Sequence, residues 1–308
     1  MPSWVVIGPG DDAAVVEPVR GALEVWTTDA QVEGVHFDRR FVSPEDIGHR
    51  AMAVNLSDLA AMGARPRAAL LSLALPATLE LTAFDQILDG MLALGARFGV
   101  TLVGGNVTFS PGPLMLDVTA VGTVHPRRIL TRARARAGDQ VFVTGSLGDA
   151  AAGLAHLQAG RRDRAQPSES RYLRPEPRVR AGILLGSMRT PVSCVDLSDG
   201  LADGVRQLAE ASGVGVSLDA AAVPVTDALR TDAAALGRDA LDLALAGGDD
   251  YELLFTVRSS AVGRLRGVRG QMDGLALTRI GVVTKSRDLV VRDGASTREL
   301  PQGFEHFR

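Results

Sequence analysis

The chain has 308 residues, which is long for a single hydrophobic core, so two domains are expected. Its net charge of −3 and its 4% aromatic content give no support for nucleic-acid binding. The single cysteine, Cys194, excludes an internal disulfide and fits a reducing compartment. The start, Met1-Pro2-Ser3, lacks the basic region of a signal peptide, and no apolar run approaches the roughly 20 residues that span a bilayer. We therefore expect a cytoplasmic globular protein that binds neither nucleic acid nor membrane.

Hydrophobic periodicity and turn residues predict the elements of the first half in chain order. A glycine turn between two short strands comes first, within residues 1–16. Strands are then predicted at 22–29, 67–76, 100–104 and 114–124, and helices at 44–63 and 78–98. The first helix has a clear start, because Ser43 can cap it and Pro44 suits its first position. Gly104-Gly105-Asn106 is predicted to connect two strands.

An arginine-rich break at 125–138 separates the halves, and we place the boundary at residue 137, which gives domains 1–137 and 138–308. Strands are predicted at 140–144, 192–196, 214–218, 251–257 and 279–283, and helices at 149–158, 199–212 and 224–236. The polar segment 160–180 holds seven arginines and three prolines, and we interpret it as a solvated loop that enters a helix at Pro177. Both halves mix strands with covering helices, so the fold class is α+β or α/β.

Five short acidic motifs lie beside glycines and hydroxyl residues. They are Gly10-Asp11-Asp12, Thr27-Thr28-Asp29, Asn55-Leu56-Ser57-Asp58, Asp196-Leu197-Ser198-Asp199 and Gly247-Gly248-Asp249-Asp250. Four of them directly follow apolar stretches, and loops at the ends of rigid elements are where sites are built. Any one motif alone is more often a turn or a helix cap. Together they supply the oxygen ligands that Mg²⁺ prefers, so the set predicts a site for several divalent cations.

Lysine is nearly absent, since Lys285 is the only one. The sequence has no Gly-x-x-x-x-Gly-Lys-Ser/Thr motif, which excludes the P-loop route to nucleotide phosphates. The protein-kinase pattern of a Val-Ala-Ile-Lys strand and a His-Arg-Asp loop is absent as well. If the protein binds a polyphosphate, metal ions and arginines must neutralise its charge.

The same motifs, taken in chain order, resemble those of the thiamine-monophosphate kinases, which belong to the superfamily of aminoimidazole ribonucleotide synthetase. The resemblance covers nearly the whole chain and rests on Ile7–Ala13, Thr27–Asp29, Gly34–Phe37, Ala53–Ala64, Asp196–Leu201 and Gly247–Leu253. It implies transfer of the γ-phosphoryl group of ATP to thiamine monophosphate, with Mg²⁺. It also implies an α+β fold: an N-terminal α+β domain whose mixed or antiparallel sheet forms a homodimer interface, and a C-terminal α/β domain.

The resemblance also implies a role for individual residues. The implied metal ligands are Asp12, Thr27, Thr28, Asp29, Asp58, Asn106, Asp196 and Asp199. The implied ATP contacts are Gly105, Asn106, Arg132 and Ser198, and the implied thiamine-phosphate contacts are His36, Asp249 and Phe304. Asp58, Asp199 and Arg132 are the residues expected to act directly in the transfer. Aspartate, threonine and histidine commonly have purely structural roles in other proteins. The prediction therefore depends on the whole set of motifs and not on any single residue.

Two departures from the family pattern bear on the site. Asn106 stands where the family usually has aspartate, so one metal site loses a negative charge. The chain also starts almost at the first predicted strand, whereas the family has a further segment before it. Two alternatives therefore stay open: another enzyme of the same superfamily, or a non-catalytic protein that binds a nucleotide or thiamine phosphate.

Overall fold

The computed structural model of the chain describes residues 1–160 and 167–302. The backbone divides into two compact units: an N-terminal unit of Met1–Leu59 and Ala64–Arg127, and a C-terminal unit of Ala60–Gly63 and Arg128–Arg308. Strands and helices alternate in both, which confirms the predicted mixed class. Within the described ranges, no helix is long and apolar enough to cross a bilayer.

The elements of the N-terminal unit follow the predicted order. They are β1 Val5–Ile7, β2 Val15–Val16, β3 Leu23–Val32, α1 Pro44–Ala61, β4 Arg65–Pro76, α2 Leu81–Phe98, β5 Thr101–Ser110 and β6 Met115–Val124. The strands β3-β6-β4-β5 form a four-stranded sheet in which only the β4–β5 pair is parallel. The helix pair α1 and α2 packs closely at Gly48 and Gly90, where an added Cβ would come within 1.8 Å of the Ile87 carbonyl oxygen and 1.9 Å of the Glu45 carbonyl oxygen.

The two faces of this sheet differ. One face meets the helices: Leu116 and Val118 are fully buried, and Gly122 faces the Leu59 side chain of α1. The other face leaves apolar side chains in solvent, and Trp26 of β3 and Met115 of β6 are 61% and 39% exposed. A half-covered antiparallel sheet normally presents polar residues on its open side.

Gly104-Gly105-Asn106 lies inside β5, so the prediction that it connects two strands is wrong. β5 pairs with β4 along its whole length, and Gly105 is opposite Leu71. A Cβ on Gly105 would come within 1.9 Å of the Leu71 carbonyl oxygen, so only glycine allows this approach. Local propensity predicted a connection here because glycine and asparagine are common in turns. Propensity contains no information about pairing with a distant strand, and that pairing keeps this stretch extended.

The elements of the C-terminal unit include several that the sequence did not reveal. They are β7 Gln140–Thr144, α3 Asp149–Gln158, α4 Pro167–Leu173, α5 Val179–Gly186, β8 Val192–Asp196, α6 Leu201–Ser212, β9 Gly215–Asp219, α7 Asp227–Ala235, α8 Ala240–Ala246, β10 Leu253–Val257, α9 Leu265–Arg269, β11 Leu277–Thr284, β12 Leu289–Asp293 and β13 Ser296–Glu299. The sheet has the order β13-β12-β9-β11-β7-β10-β8, and only its β12–β9 pair is parallel. Its core includes Val143, Leu201 and Leu254.

The interpretation of 160–180 as one solvated loop is wrong for the part that the structure describes. Helix α4 begins at Pro167, and its residues Ser168, Tyr172 and Leu173 are buried. Polar composition suggested solvent exposure, but Arg171 and Arg178 pair with the buried Glu252 elsewhere in the unit. The segment 161–166 lies outside the described residues.

Candidate active site

Strand β3 carries three of the predicted metal ligands in its middle. The Thr27 hydroxyl donates a hydrogen bond to the Asp58 carboxylate of α1. Both side chains are half-buried, and Asp29 alternates onto the same face as Thr27. The structure therefore brings oxygen donors from a strand and a helix together at the covered face of the sheet.

Thr28 points to the opposite face. Its hydroxyl donates to Oδ1 of Asp117 at 2.7 Å and lies 3.1 Å from the Thr119 hydroxyl. Residues at cross-strand positions share a face, and Thr119 is directly opposite Thr28. Adjacent predicted ligands in one strand thus face two different environments. Asp117 was not among the sequence predictions, although its place between the buried Leu116 and Val118 marks it as an open-face residue.

A cavity of about 530 Å³ lies within the N-terminal unit. Its polar lining includes three predicted residues: Asp12, Gly105 and Asn106. The lining also includes residues that the sequence analysis missed: Trp4, Trp26, Arg67, Ser72, Asp117 and Thr119. The Arg67 guanidinium stacks over the Trp4 ring at 4.2 Å from its centroid. The cavity therefore combines flat aromatic surface with a row of oxygen-bearing side chains, within the volume range of small-molecule sites.

The predicted ligands do not form a conventional metal cluster of acidic, histidine or cysteine side chains. Across residues 1–160 and 167–302, no three or more His, Cys, Asp or Glu side chains lie close enough to hold one ion. An ion held by Thr27, Asp29 and Asp58 would use hydroxyl, water or phosphate oxygens besides the two carboxylates. Such mixed oxygen coordination suits Mg²⁺, which keeps several waters and binds few carboxylates. The donor chemistry fits that ion, and the metal assignment stays a prediction.

His36 lies in a tight turn just after β3. The Val32 backbone N–H donates to His36 Nδ1 at 3.0 Å, and the His36 backbone N–H returns to the Val32 carbonyl oxygen at 2.9 Å. Gly34, with φ of 83°, allows the chain to turn here. An imidazole that accepts a hydrogen bond at Nδ1 carries its proton on Nε2, so Nε2 is the N–H donor of this ring.

In the C-terminal unit, the predicted residues lie at one end of the β8–β10 pair. Asp196 ends β8 and is opposite Leu253, the first residue of β10. Ser198 and Asp199 follow in the next turn, where the Ser198 hydroxyl donates to Asp199 Oδ2 at 2.9 Å. The loop that contains Asp249 runs beside this turn. The structure thus places four predicted residues at the same end of the β8–β10 pair: Asp196, Ser198, Asp199 and Asp249.

The backbone next to Arg132 pairs with the same strand, β8. Thr131 forms a parallel bridge with Ser193 of β8, and the Ser212 hydroxyl donates to the Arg132 carbonyl oxygen at 2.8 Å. These contacts fix the backbone, while the Arg132 side chain is exposed. A guanidinium held in this way is available to an anionic ligand.

A fully buried carboxylate, Glu252, anchors this part of the unit. It accepts hydrogen bonds from Arg178 Nε at 2.7 Å, Arg171 Nη2 at 2.6 Å and the Thr144 hydroxyl at 2.5 Å. Burial by itself raises the pKa of Glu252, but the hydrogen bond and charge of Arg178, together with Arg171, outweigh burial and hold that pKa below its ordinary value. The sequence analysis missed this cluster because its arginines are more than 70 residues from the glutamate.

The neighbouring Asp250 is also buried but lacks a direct guanidinium contact among the described bonds. Both of its carboxylate oxygens accept from the Gly148 backbone N–H, at 2.9 and 3.0 Å. Burial raises the pKa of Asp250 well above its ordinary value, against the opposing effects of this bond and the Arg171 charge. Phe304, the third predicted acceptor-site residue, lies outside the described residues. The last described stretch is held by Arg206 of α6, which donates to the carbonyl oxygens of Leu300 and Pro301.

Comparison with known proteins supports the sequence-based assignment. Residues 10–124 match the family profile of the AIR synthase related protein N-terminal domain, and residues 136–294 match that of the C-terminal domain. The thiamine-monophosphate kinase of Bacillus subtilis (strain 168) is 35% identical, over 99% of this chain and 95% of that protein.

Solved structures give the same result. The crystal structure of thiamine-monophosphate kinase from Stenotrophomonas maltophilia K279a has a TM-score of 0.86 and 40% identity, covering 96% of this chain and 93% of that one. A structure of AaThiL complexed with AMPPCP and TMP has a TM-score of 0.82 and 32% identity, covering 97% of this chain and 91% of that one. That similar protein therefore holds an ATP analogue and TMP on the same fold.

Proposed function

This chain belongs to the thiamine-monophosphate kinase family of the AIR synthase related proteins, and we propose that it transfers the γ-phosphoryl group of ATP to thiamine monophosphate to form thiamine diphosphate. The observation that carries the proposal is the structural similarity, over 97% of this chain, to a structure that contains both an ATP analogue and TMP. The motif residues of this chain support it, because each unit presents its own group of acidic and hydroxyl side chains at ordered positions.

The cavity of the N-terminal unit supports nucleotide binding. Its aromatic wall, with Trp4 and Trp26, suits a nucleobase, and its oxygen-rich side contains Asp12 and Asn106. Gly105 lines the same cavity, and its lack of a side chain allows the close approach of β5 to Leu71. We assign this cavity to ATP.

The charge of the substrates explains why magnesium is expected. Two unit charges ~4 Å apart repel by ~4 kcal/mol at an effective dielectric constant of ~20. Mg²⁺ bound through Asp12 and Asn106, the predicted ligands that line the cavity, would neutralise part of the polyphosphate charge. Arg132 supplies positive charge and, unlike a lysine, can hold a phosphate through two parallel hydrogen bonds.

The acceptor chemistry needs no general base. The attacking atom is a phosphate oxygen of thiamine monophosphate, which is already ionised at neutral pH, so phosphoryl transfer depends on positioning and charge neutralisation. We assign His36, Asp249 and Phe304 to this acceptor. His36 presents an N–H donor suited to the phosphate, and Asp249 supplies negative charge suited to the cationic thiamine.

The open face of the N-terminal sheet supports a homodimer. Trp26, Leu70 and Met115 leave apolar surface in solvent on this face, and exposed apolar patches commonly mark protein interfaces. Because Trp26 and Leu70 also line the cavity assigned to ATP, we propose that a second copy of the chain covers the part of this face around Met115 and leaves the cavity open. We also assign the protein to the cytoplasm, because a single buried cysteine suits a reducing compartment.

One experiment tests the activity against both alternatives. Purified protein is incubated with ATP, Mg²⁺ and a panel of phosphate acceptors, and ADP release and product mass are measured. We expect thiamine diphosphate from thiamine monophosphate, and no product from unphosphorylated thiamine. Turnover only with a different acceptor would favour another enzyme of the superfamily, and binding without ADP release would favour a non-catalytic protein.

A further inference from the structure

The segment Gly247–Glu252, which leads into β10, is fastened along its backbone to the turn after β8. The Asp249 N–H donates to the Ser198 carbonyl oxygen at 2.7 Å, and the Tyr251 N–H donates to the Leu197 carbonyl oxygen at 2.9 Å. The two segments approach so closely that a Cβ on Gly248 would come within 2.6 Å of the Ser198 carbonyl oxygen. Any side chain held by this segment therefore has a fixed position relative to Ser198.

The backbone of this segment is strained at two residues. Asp249 has φ of 67° and Tyr251 has φ of 50°, in the left-handed region that favours glycine. Two such residues, with one residue between them, persist only when the surroundings impose the conformation, and strain of this kind concentrates at functional sites. The flanking anchors supply that constraint, because Asp250 and Glu252 are both buried and bonded to other elements.

With positive φ angles at both residues, the Tyr251 side chain folds back towards Asp249. The Tyr251 hydroxyl donates to Asp249 Oδ1 at 3.0 Å. Tyr251 is only 7% exposed, so packing holds its ring, whereas Asp249 is half-buried and can face a ligand. A buried phenol that donates to one carboxylate oxygen fixes the orientation of the whole carboxylate.

We infer that Tyr251 is a positioning residue for acceptor binding: its hydroxyl holds the Asp249 carboxylate in the orientation that receives the cationic part of thiamine monophosphate. This inference rests on the proposed function and adds a residue that would not touch the substrate. The strained backbone sets the direction of both side chains, and the hydroxyl sets the rotation of the carboxylate.

The test is Tyr251→Phe, which removes the hydroxyl and keeps the ring. We expect the KM for thiamine monophosphate to rise by about tenfold, the scale of losing a hydrogen bond to a charged group, with kcat, the KM for ATP and the melting temperature nearly unchanged. Calorimetric titration with thiamine monophosphate in the absence of ATP should show the same weakening of Kd. Tyr172→Phe, at the other tyrosine of the chain and also buried, is the matched control and should leave both constants unchanged.

A double-mutant cycle separates positioning from simple packing. If Tyr251 acts through Asp249, then Tyr251→Phe should have almost no further effect in an Asp249→Asn background. Equal and additive effects in both backgrounds, or a matching loss in the KM for ATP and in melting temperature, would overturn the inference. The wild-type assay keeps the two proposals apart: no turnover of thiamine monophosphate rejects the proposed function, whereas normal turnover with an unaffected Tyr251→Phe variant rejects the positioning role alone.

Discussion

Replacing Glu252 with glutamine should strongly destabilise the C-terminal unit. The carboxylate is fully buried and pairs with Arg171 and Arg178, whose side chains are 23% and 14% exposed. Removing one partner of a buried ion pair costs about 3–5 kcal/mol. The partial exposure of the arginines lets water reach them, so we expect about 3 kcal/mol, near the lower end. The glutamine amide would also bring N–H groups towards a guanidinium that needs an acceptor.

That loss converts into a measurable shift. For a unit of this size, 1 kcal/mol corresponds to about 2–4 °C in melting temperature, so Glu252→Gln should lower the transition by roughly 6–12 °C at pH 7. Differential scanning calorimetry measures it. Asp242→Asn is the control, because the Asp242–Arg298 pair is about half exposed on both sides and should contribute less than about 1 kcal/mol. A shift no larger than that of the control would refute the energetic role of the cluster.

The pH dependence gives a second check with a fixed sign. Because the folded-state pKa of Glu252 lies below its ordinary value of 4.5, its stabilisation is present above that value and is lost as pH falls through the folded-state pKa. The difference in melting temperature between wild type and Glu252→Gln should therefore narrow in acid. A difference that widens below about pH 4 would contradict the ion-pair explanation.

Four further predictions follow from the site. Asp58→Asn should lower turnover by orders of magnitude while leaving the metal-free melting temperature nearly unchanged; near-normal turnover would reject its assignment as a metal ligand. Asn106→Asp should lower the Mg²⁺ concentration that gives half-maximal activity, and an unchanged requirement would mean that the asparagine is compensated elsewhere. Phe304→Ala should raise the KM for thiamine monophosphate about fivefold, the scale of one aromatic contact, and leave the KM for ATP unaltered; equal effects on both would count against stacking. Because burial raises the pKa of the Cys194 thiol, a disulfide reagent should modify it only after unfolding, and rapid modification of the native protein would show that this strand opens.

The sequence predicted helices and strands accurately where residues typical of their first and last positions mark both ends. The strand at 140–144 and the helix at 149–158 were predicted with their observed bounds. The sequence failed where a distant partner decides the structure. β5 continues through two glycines because it pairs with β4, and α4 packs into the unit with its Arg171 bonded to the distant Glu252.

The candidate site, like the fold, was predicted from the sequence only in part. The acidic motifs were found because each follows or interrupts an apolar stretch, and the structure places Asp196, Ser198 and Asp249 at one sheet edge. The predicted strand at 22–29 contains Thr27 and Thr28, whose side chains must then face opposite sides, but the sequence could not show which of the two sides packs against the helices. Nor could it show the bond between Tyr251 and Asp249, which depends on two unusual φ angles.

The close crossing of α1 and α2 has a consequence for mutational scans of this protein. Gly48 and Gly90 let two helix backbones touch, and one added methyl group at either position would overlap a carbonyl oxygen. Since α1 carries Asp58, forcing the helices apart would displace that carboxylate from Thr27. Substitutions at these two glycines should therefore abolish activity as thoroughly as substitutions at a ligand. Intolerance at a position of this fold can report the spacing of two backbones and not a contact with substrate.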